Sequence, residues 1–436
     1  MKLILTDFYH QATARFINSL NQAKTSFLHV NVTSDGWLPE AVESPFLHYT
    51  GFAKLPDKAL HYNELSMPDF LEIRNLDGAK AEIRNGEIIK GIIFYQPDTT
   101  RLVREVQWLN RAGKLRLTER YNRQGAKFAD SLFDAEGKEL KTIYFDASGE
   151  KIITLDEVTK AVILKTGAHE TVFANVALFV AHYLRERLSV SADKIDELVF
   201  NSLSTPLFAS NLLSELPGTL YFQEVIHDAV PGNMLAILEG KTPTTRILFE
   251  NAKELEKVAK LAPNRAIALD YLGAIENFTR ENRFRPHALT ITRSDQILYD
   301  EAVAEALAAR KITWTIAAPS EISDKLRAFG ETHDNVTVLE QMPFSKIDDL
   351  LAENDYYLDL NQGADTQNTV QRAYQEGLLV IADMTTQKNA AYELLLENEK
   401  EICDVLRRPN QSIVLNVLRN KKGAPATVSD YRAMFK

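Results

Sequence analysis

A single cysteine, Cys403, stands in 436 residues. One thiol cannot form a disulfide within the chain, and cysteine this scarce fits a reducing compartment. It lies in a polar helical pattern and reads as inert rather than nucleophilic. The 18 glycines include no G-x-G pair, which excludes the dinucleotide fingerprint, and a Walker A loop is missing too. Long apolar runs are lacking. The first, Leu3-Ile4-Leu5, stops at Thr6-Asp7 and is no signal peptide. Nothing approaches the roughly 20 residues that span a bilayer. Thr171 to Leu188 comes nearest, but His182, Arg185, Glu186 and Arg187 interrupt it, so it reads as an amphipathic core helix. The nine histidines show no H-E-x-x-H or other metal-ligand spacing, and there is no G-x-S-x-G elbow. Positive charge is not in excess: the net charge of −10 argues against nucleic acid as a partner.

What is present is a turn signal repeated every twelve residues. Leu109-Asn110-Arg111-Ala112-Gly113, Tyr121-Asn122-Arg123-Gln124-Gly125, Phe133-Asp134-Ala135-Glu136-Gly137 and Phe145-Asp146-Ala147-Ser148-Gly149 share one form. An apolar residue precedes Asn or Asp, which opens a tight turn, and Gly closes it in the left-handed conformation. The residues between alternate in polarity, the pattern of an antiparallel β-meander. Asp77-Gly78 and Asn85-Gly86 are further hairpin turns.

The flanks read differently. Near-continuous apolar strands alternate with helices, as parallel sheets covered on both faces require. Strands are expected at Glu197–Phe200, Thr219–Val225, Arg246–Phe249 and Ala266–Leu269, then at Ala288–Thr292, Ile312–Ala317, Val336–Leu339, Tyr356–Leu360 and Leu378–Ala382. The fold class is therefore α/β: two doubly wound, Rossmann-like halves with an antiparallel β-meander inserted in the first. The expected boundaries are 1–65 and 169–286 for the first half, 66–168 for the meander and 287–436 for the C-terminal half. Two such halves are the GT-B glycosyltransferase architecture, in which ligands bind in a cleft at the strand ends.

Retaining GT-B enzymes that modify proteins carry an Arg and a Lys after the first strand of the C-terminal half, which neutralise the diphosphate. A Glu pair eight residues apart then orients the sugar. Here Arg293 follows the strand, but no lysine appears before Lys311. Asp365 would need a partner at Ala373, and Glu376 one at Met384. Without these groups transfer should slow by orders of magnitude, so the chain reads as a GT-B shell lacking donor chemistry.

Several stretches carry a family resemblance. They are Ser34-Asp35-Gly36-Trp37-Leu38-Pro39, Ser44-Pro45-Phe46, Tyr49-Thr50-Gly51-Phe52, Pro68 to Arg74, Phe200 to Pro206, Gln223 to Met234, and Tyr357-Leu358-Asp359-Leu360-Asn361-Gln362-Gly363. The chain resembles the glycosyltransferase-stabilising proteins of the accessory Sec system, GtfB. The resemblance implies a non-catalytic subunit that holds the acceptor and stabilises a catalytic GtfA-type glycosyltransferase. That partner moves N-acetylglucosamine from UDP-N-acetylglucosamine onto Ser and Thr of a serine-rich repeat adhesin, in the cytoplasm or at the inner face of the membrane. The chain itself then needs no cofactor or metal. The alternative is a divergent but active GT-B enzyme.

Candidate acceptor or glycan contacts are polar residues at strand ends. Asn201, Ser202, Ser204 and Thr205 follow one strand and either bond a peptide or sugar, or cap the next helix. Gln223, Glu224, His227 and Asp228 follow another, facing a crevice or forming a loop network. Asn361, Gln362 and Asp365 occupy the donor position and either bind a GlcNAc already on the acceptor or cap a helix. From Arg101 to Lys127, eight basic residues stand against Glu105 and Glu119. Within that stretch Arg104, Arg111, Arg116, Arg120 and Arg123 are candidates for docking the partner or an anionic membrane, or they line a solvated sheet face. An exposed edge strand of the meander is the other docking candidate.

Overall fold

The computed structural model describes residues 1–436 apart from 77, 78, 98, 100 and 191–193, so the Asp77-Gly78 turn lies outside the described residues. The chain forms two compact units. The first comprises Met1–Ala274 with Thr427–Lys436, and the second Ile275–Ala426.

The first unit holds a parallel sheet of β1 (Lys2–Thr6) and β2 (Phe27–Asn31) and a ten-stranded antiparallel sheet. The ten are β3 (Glu72–Asn75), β4 (Lys80–Asn85), β5 (Ile88–Tyr95), β6 (Val103–Leu109), β7 (Leu115–Tyr121), β8 (Lys127–Phe133), β9 (Glu139–Phe145), β10 (Lys151–Asp156), β11 (Val162–Thr166) and β12 (His169–Phe173). The parallel sheet resumes with β13 (Glu197–Phe200), β14 (Gly218–Phe222), β15 (Thr244–Phe249) and β16 (Ala268–Tyr271), in the order β16-β15-β14-β13-β1-β2. All residues of β1, β13 and β14 are buried, as expected of strands covered on both faces.

The four repeated turns form as their chemistry demands. Asn110 Oδ1 accepts from Ala112 N at 2.9 Å and Lys114 N at 3.0 Å. Asn122, Asp134 and Asp146 hold the corresponding amides in the same way. Gly113, Gly125, Gly137 and Gly149 all adopt φ between 75° and 88°. At Gly125 a side chain is also excluded sterically, since a Cβ would lie 2.3 Å from Lys58 O.

The meander is gripped on opposite faces at its two ends. Leu60, Tyr62, Leu65 and Met67 pack with Ile83, Ile93 and Val106, while Phe46 and Phe179 pack with Ile153, Val162 and Leu164. Val106 and Glu105 are neighbours on β6 and so point oppositely. Ile93 pairs with Val106, and Glu105 shares a face through Arg120, Ala129 and Tyr144 with Ile153.

Three expectations are corrected. Thr171–Phe173 begin no helix; they belong to β12, and the helix spans Val176–Val190. Asn175 Oδ1 accepts from Leu178 N at 3.0 Å and caps the helix there, leaving the β-branched and aromatic residues before it to pair with β11. The sheet thus runs beyond residue 168. The C-terminal Thr427–Lys436 packs in the first unit rather than with 287–426. Tyr431 is fully buried, its hydroxyl beside that of Tyr221, and Arg246 donates to Met434 O at 3.0 Å. Strand β14 also ends at Phe222, so Gln223–Val225 leave the sheet.

The second unit is a parallel sheet of β17 (His287–Ile291), β18 (Thr313–Ala317), β19 (Val336–Leu339), β20 (Tyr356–Asp359), β21 (Leu379–Asp383) and β22 (Leu394–Leu396), ordered β19-β18-β17-β20-β21-β22. Cys403 is buried on the Glu399–Arg407 helix, and burial raises its pKa, so it sits as a small apolar group.

Candidate functional site

Each parallel sheet reverses its strand order beside its first strand, and the crevice at such a reversal is where doubly wound sheets bind ligands. In the first unit the reversal lies between β1 and β13. Asp7 follows β1, and Asn201 to Ser204 follow β13. Asn201 is buried; its Oδ1 accepts from Asp7 N at 3.1 Å and its Nδ2 donates to Thr13 Oγ1 at 3.3 Å. It is taken up in holding the crevice floor. Ser202 donates to Asp7 Oδ2 at 3.3 Å, Ser204 donates to the same oxygen, and the two hydroxyls lie 2.9 Å apart. Ser204 occupies the N-cap position of the Thr205–Leu212 helix, but its side chain makes no cap bond; it turns to Asp7 instead.

Beneath this cluster is a buried polar floor. Thr6 donates to Asn31 Oδ1 at 2.6 Å and lies 2.8 Å from His29 Nε2. With the Thr6 proton committed to Asn31, Nε2 of His29 is the donor. Burial lowers the His29 pKa to about 4. Asn31 Nδ2 donates to Asp7 O and Thr33 O, so the loop carrying Asp7 is fixed from below. Phe8 projects beside it, 58% exposed.

The other candidates scatter. Thr205 lines a separate apolar groove of about 690 Å³ with Val176, Phe208 and Leu212. Gln223 turns inward, donating to Ala12 O at 2.8 Å. Glu224, His227 and Asp228 are exposed. Their loop is pinned midway, where Ile226 N donates to Glu254 Oε2 at 2.9 Å and Lys257 Nζ bonds Ile226 O.

In the second unit the reversal lies between β17 and β20, and there the chain fills its own crevice. Leu298 N donates to Leu360 O at 2.8 Å, Gln362 N to Gln296 O at 3.1 Å, and Ile297 and Asn361 form a bridge. Asn361 is buried, its Nδ2 donating to Asp359 Oδ1 at 3.1 Å and its Oδ1 accepting from Gly363 N at 3.1 Å. Lys388 Nζ ties these loops, donating to Asn361 O at 2.6 Å and lying 3.3 Å from Asp359 Oδ1. Glu393 is fully buried and accepts from the amides of Lys388 and Asn389. Burial, with the Glu393 carboxyl alongside, pushes the Asp359 pKa up to about 8. Asp365 Oδ1 faces Val370 N at 3.4 Å, capping the Thr369–Gln375 helix, and burial raises its pKa. Gln362 alone of the three donor-position residues is exposed.

Arg293 is turned onto the Phe344 ring, 5.5 Å from its centroid. The cavity beside it holds about 270 Å³ and has Glu321 in its lining. That is small against the usual roughly 300–1,000 Å³ of ligand sites, and a carboxylate opposes a phosphate. Among the described residues no His, Cys, Asp and Glu group is arranged to hold a metal, and no helix is long and apolar enough to cross a membrane.

Of the basic candidates, Arg111 and Arg116 are exposed and Arg104 half-buried. Arg120 donates to Ser131 Oγ at 2.8 Å. Arg123 bonds Leu38 O and pairs with Asp57 at 2.5 Å. These last two brace the meander. The residues sequence reasoning passed over are Asp7, Phe8, Asp359, Lys388 and Glu393. Asp7 alone had a signal, as the carboxylate directly after an apolar strand.

Four segments match described domain families: the GtfB N-terminal domain over 4–49, the GtfB middle domain over 71–174, the GtfB third domain over 177–261 and the GftB/GlyA-F C-terminal domain over 288–407. A Streptococcus pneumoniae serotype 4 protein is 32% identical over 394 residues, covering 89% of this chain and 86% of the relative. It is named UDP-N-acetylglucosamine–peptide N-acetylglucosaminyltransferase stabilizing protein GtfB. This chain belongs to the GtfB family. A GtfB of the same full name from Limosilactobacillus reuteri subsp. suis is 28% identical, covering 99% of this chain and 98% of its own. A chain of a crystal structure of a GtfA/B complex bound to UDP and GlcNAc superposes with a TM-score of 0.86 at 27% identity, covering 99% of this chain and 98% of that chain. The GT-B-like α/β class expected from the sequence is that of this family.

Proposed function

We propose that this chain is the non-catalytic, acceptor-holding subunit of a two-protein O-GlcNAc transferase. A GtfA-type subunit binds UDP-GlcNAc and transfers the sugar to Ser and Thr of a serine-rich repeat adhesin. The complex works in the cytoplasm or at the inner face of the membrane. The observation that carries this reading is the second unit's crevice, where Lys388, Asn361 and the paired loops stand where a nucleotide sugar would need open space and free cations. The names of the relatives support the partner's role.

The subunit acts by proximity. It keeps a flexible Ser/Thr-rich chain near the partner's active site, so that many hydroxyls visit it at high effective concentration. The Asp7, Ser202 and Ser204 cluster supplies a carboxylate and two hydroxyls for that chain, and the exposed Glu224, His227 and Asp228 extend the same strand-end surface.

Docking of the partner falls to the edge of the meander. Among the described residues strand β3 pairs with β4 alone, so its outer edge can extend a partner's sheet. Just before it, Phe70 is 90% exposed at φ 66°. A bulky residue in that conformation is a genuine outlier, and exposed aromatics serve as interface anchors. Phe70→Ala should weaken co-purification with the catalytic subunit by roughly tenfold or more.

The deciding experiment is transfer of labelled GlcNAc from UDP-GlcNAc to a serine-rich peptide, with this chain alone, the partner alone and the two mixed. Activity that the mixture raises far above either alone is expected. Transfer by this chain alone would overturn the reading.

A further inference from the structure

The groove of about 690 Å³ in the first unit lies between the start of the Val176–Val190 helix and the Thr205–Leu212 helix. Its volume is within the usual range of ligand sites. Its walls are mainly apolar: Val176, Leu178, Phe208 and Leu212. Phe208 is 47% exposed, while its neighbours Leu207 and Ala209 are buried in the core, so the helix is anchored without that ring. The charged and capping groups of the groove are spent. Asn175 Oδ1 accepts from Leu178 N at 3.0 Å, and Lys160 Nζ donates to Glu157 Oε2 at 2.7 Å. Asn211, which also lines the groove, differs: its Oδ1 is buried without a hydrogen-bond partner. That is a costly state for an amide, and rotation about χ2 presents the oxygen to the groove.

These features constrain the occupant. With its lysine already paired, the groove selects a neutral group, and an unbonded carboxamide is matched by one that carries both a donor and an acceptor. A peptide group beside an apolar side chain is such a group. In an extended chain the N–H and C=O of one residue point the same way, so the Asn211 amide can accept from one and donate to the other. The Thr205–Leu212 helix has eight residues, about 12 Å, the length of roughly three or four extended residues. Thr205 directly follows Ser204, whose hydroxyl meets Asp7, so a chain lying on the serine pair continues into the groove. We propose that this groove seats one uncharged apolar side chain of the acceptor polypeptide, with the Asn211 amide holding the peptide group beside it. The proposal rests on the acceptor-holding reading above and adds a preference to it: an acceptor binds best when an apolar residue interrupts its Ser and Thr.

The test is fluorescence anisotropy of two labelled serine-rich peptides with the assembled complex, identical except that one carries leucine in place of a central serine. The leucine peptide is expected to bind about tenfold tighter. Phe208→Gln should bring that ratio close to one. Asn211→Leu should weaken the leucine peptide about tenfold while raising the melting temperature, because an apolar group replaces a buried amide that has no partner. A merely structural role would not move affinity and stability in opposite directions. Val190→Ser, 69% exposed at the far end of the Val176–Val190 helix, should leave the ratio unchanged. Equal binding of the two peptides, or a ratio that survives Phe208→Gln, would overturn this proposal and leave the acceptor-holding reading standing. Binding of neither peptide would overturn both. A Phe208→Gln chain that no longer co-purifies with the catalytic subunit would overturn it too, because the groove would then be a subunit interface.

Discussion

The two parallel sheets reverse direction in the same way and leave opposite crevices. In the first unit the loops after β1 and β13 stop at an Asp7 carboxylate met by two serine hydroxyls, with Phe8 in solvent beside it. In the second unit the loops after β17 and β20 pair with one another, and a lysine closes over them. A doubly wound sheet offers a site at its reversal; whether the site stays open depends on what the loops do with their own polar groups. A loop whose amides and carbonyls are satisfied internally has little left for a ligand. One that ends in side-chain hydroxyls and a carboxylate has more.

The contrast can be broken most forcefully at Lys388. Its ammonium sits between Asp359 and the carbonyls that hold the loops, so Lys388→Met leaves buried acceptors and a carboxyl pair without their cation. The second unit should lose about 3–5 kcal/mol, with hydrogen exchange rising in Leu360–Gly363 first. An unchanged melting curve would mean the crevice is closed by the backbone pairing alone.

Proton linkage should separate the units next, with opposite signs. His29 has a folded pKa lowered to about 4, so the fold favours its neutral form. Its stabilisation is complete above about pH 6.5 and is lost as pH falls toward 4, roughly 3 kcal/mol in all. Asp359 has a folded pKa raised to about 8, so the fold favours its protonated form. Its stabilisation is complete below the ordinary carboxylate range and is lost as pH rises through 8. Hydrogen exchange from pH 5 to 8.5, corrected for intrinsic rates, should show β1 and β2 gaining protection with pH while β20 and β21 lose it. Parallel changes in both would refute the assignment of these two groups.

A smaller effect tests the first unit's crevice directly. Asp7→Asn keeps the size and one acceptor oxygen but removes the charge. It should lower the affinity of the assembled complex for a serine-rich peptide about tenfold, the worth of a charge-assisted bond, with little change in melting temperature. The smallest expectation is at Gln362, the exposed residue of the closed crevice. Gln362→Ala should shift peptide affinity by less than about twofold, as surface substitutions away from a site usually do. If Gln362 mattered more than Asp7, the roles of the two crevices would have to be exchanged.

Much of the fold was legible because its signals are local. Asn110, Asn122, Asp134 and Asp146 bond amides two and four residues ahead, so sequence spacing alone specifies the turn. The helix start near Thr171 was misread for a related reason: a short apolar run has no period of its own, and only the cap at Asn175 and the pairing with β11 decide it. The site was less legible. Asn201 and Asn361 look like strand-end contact residues, yet both are buried and bonded inward. Nothing near Lys388 in the chain announces that it will reach Asn361, or that Glu393 will lie beside Asp359.

By itself, then, the sequence determined the α/β class, the meander and its four turns, and the lack of a phosphate clamp and a sugar-orienting carboxylate pair, because each rests on residue types a few positions apart. Tertiary structure alone decided which crevice has loops that bond one another, which arginines brace the sheet and which face solvent, and that Thr427–Lys436 returns to the first unit. Those outcomes depend on polar groups distant in the chain meeting in a buried place, where each must find a partner or go unsatisfied at a cost, and no local pattern records that meeting.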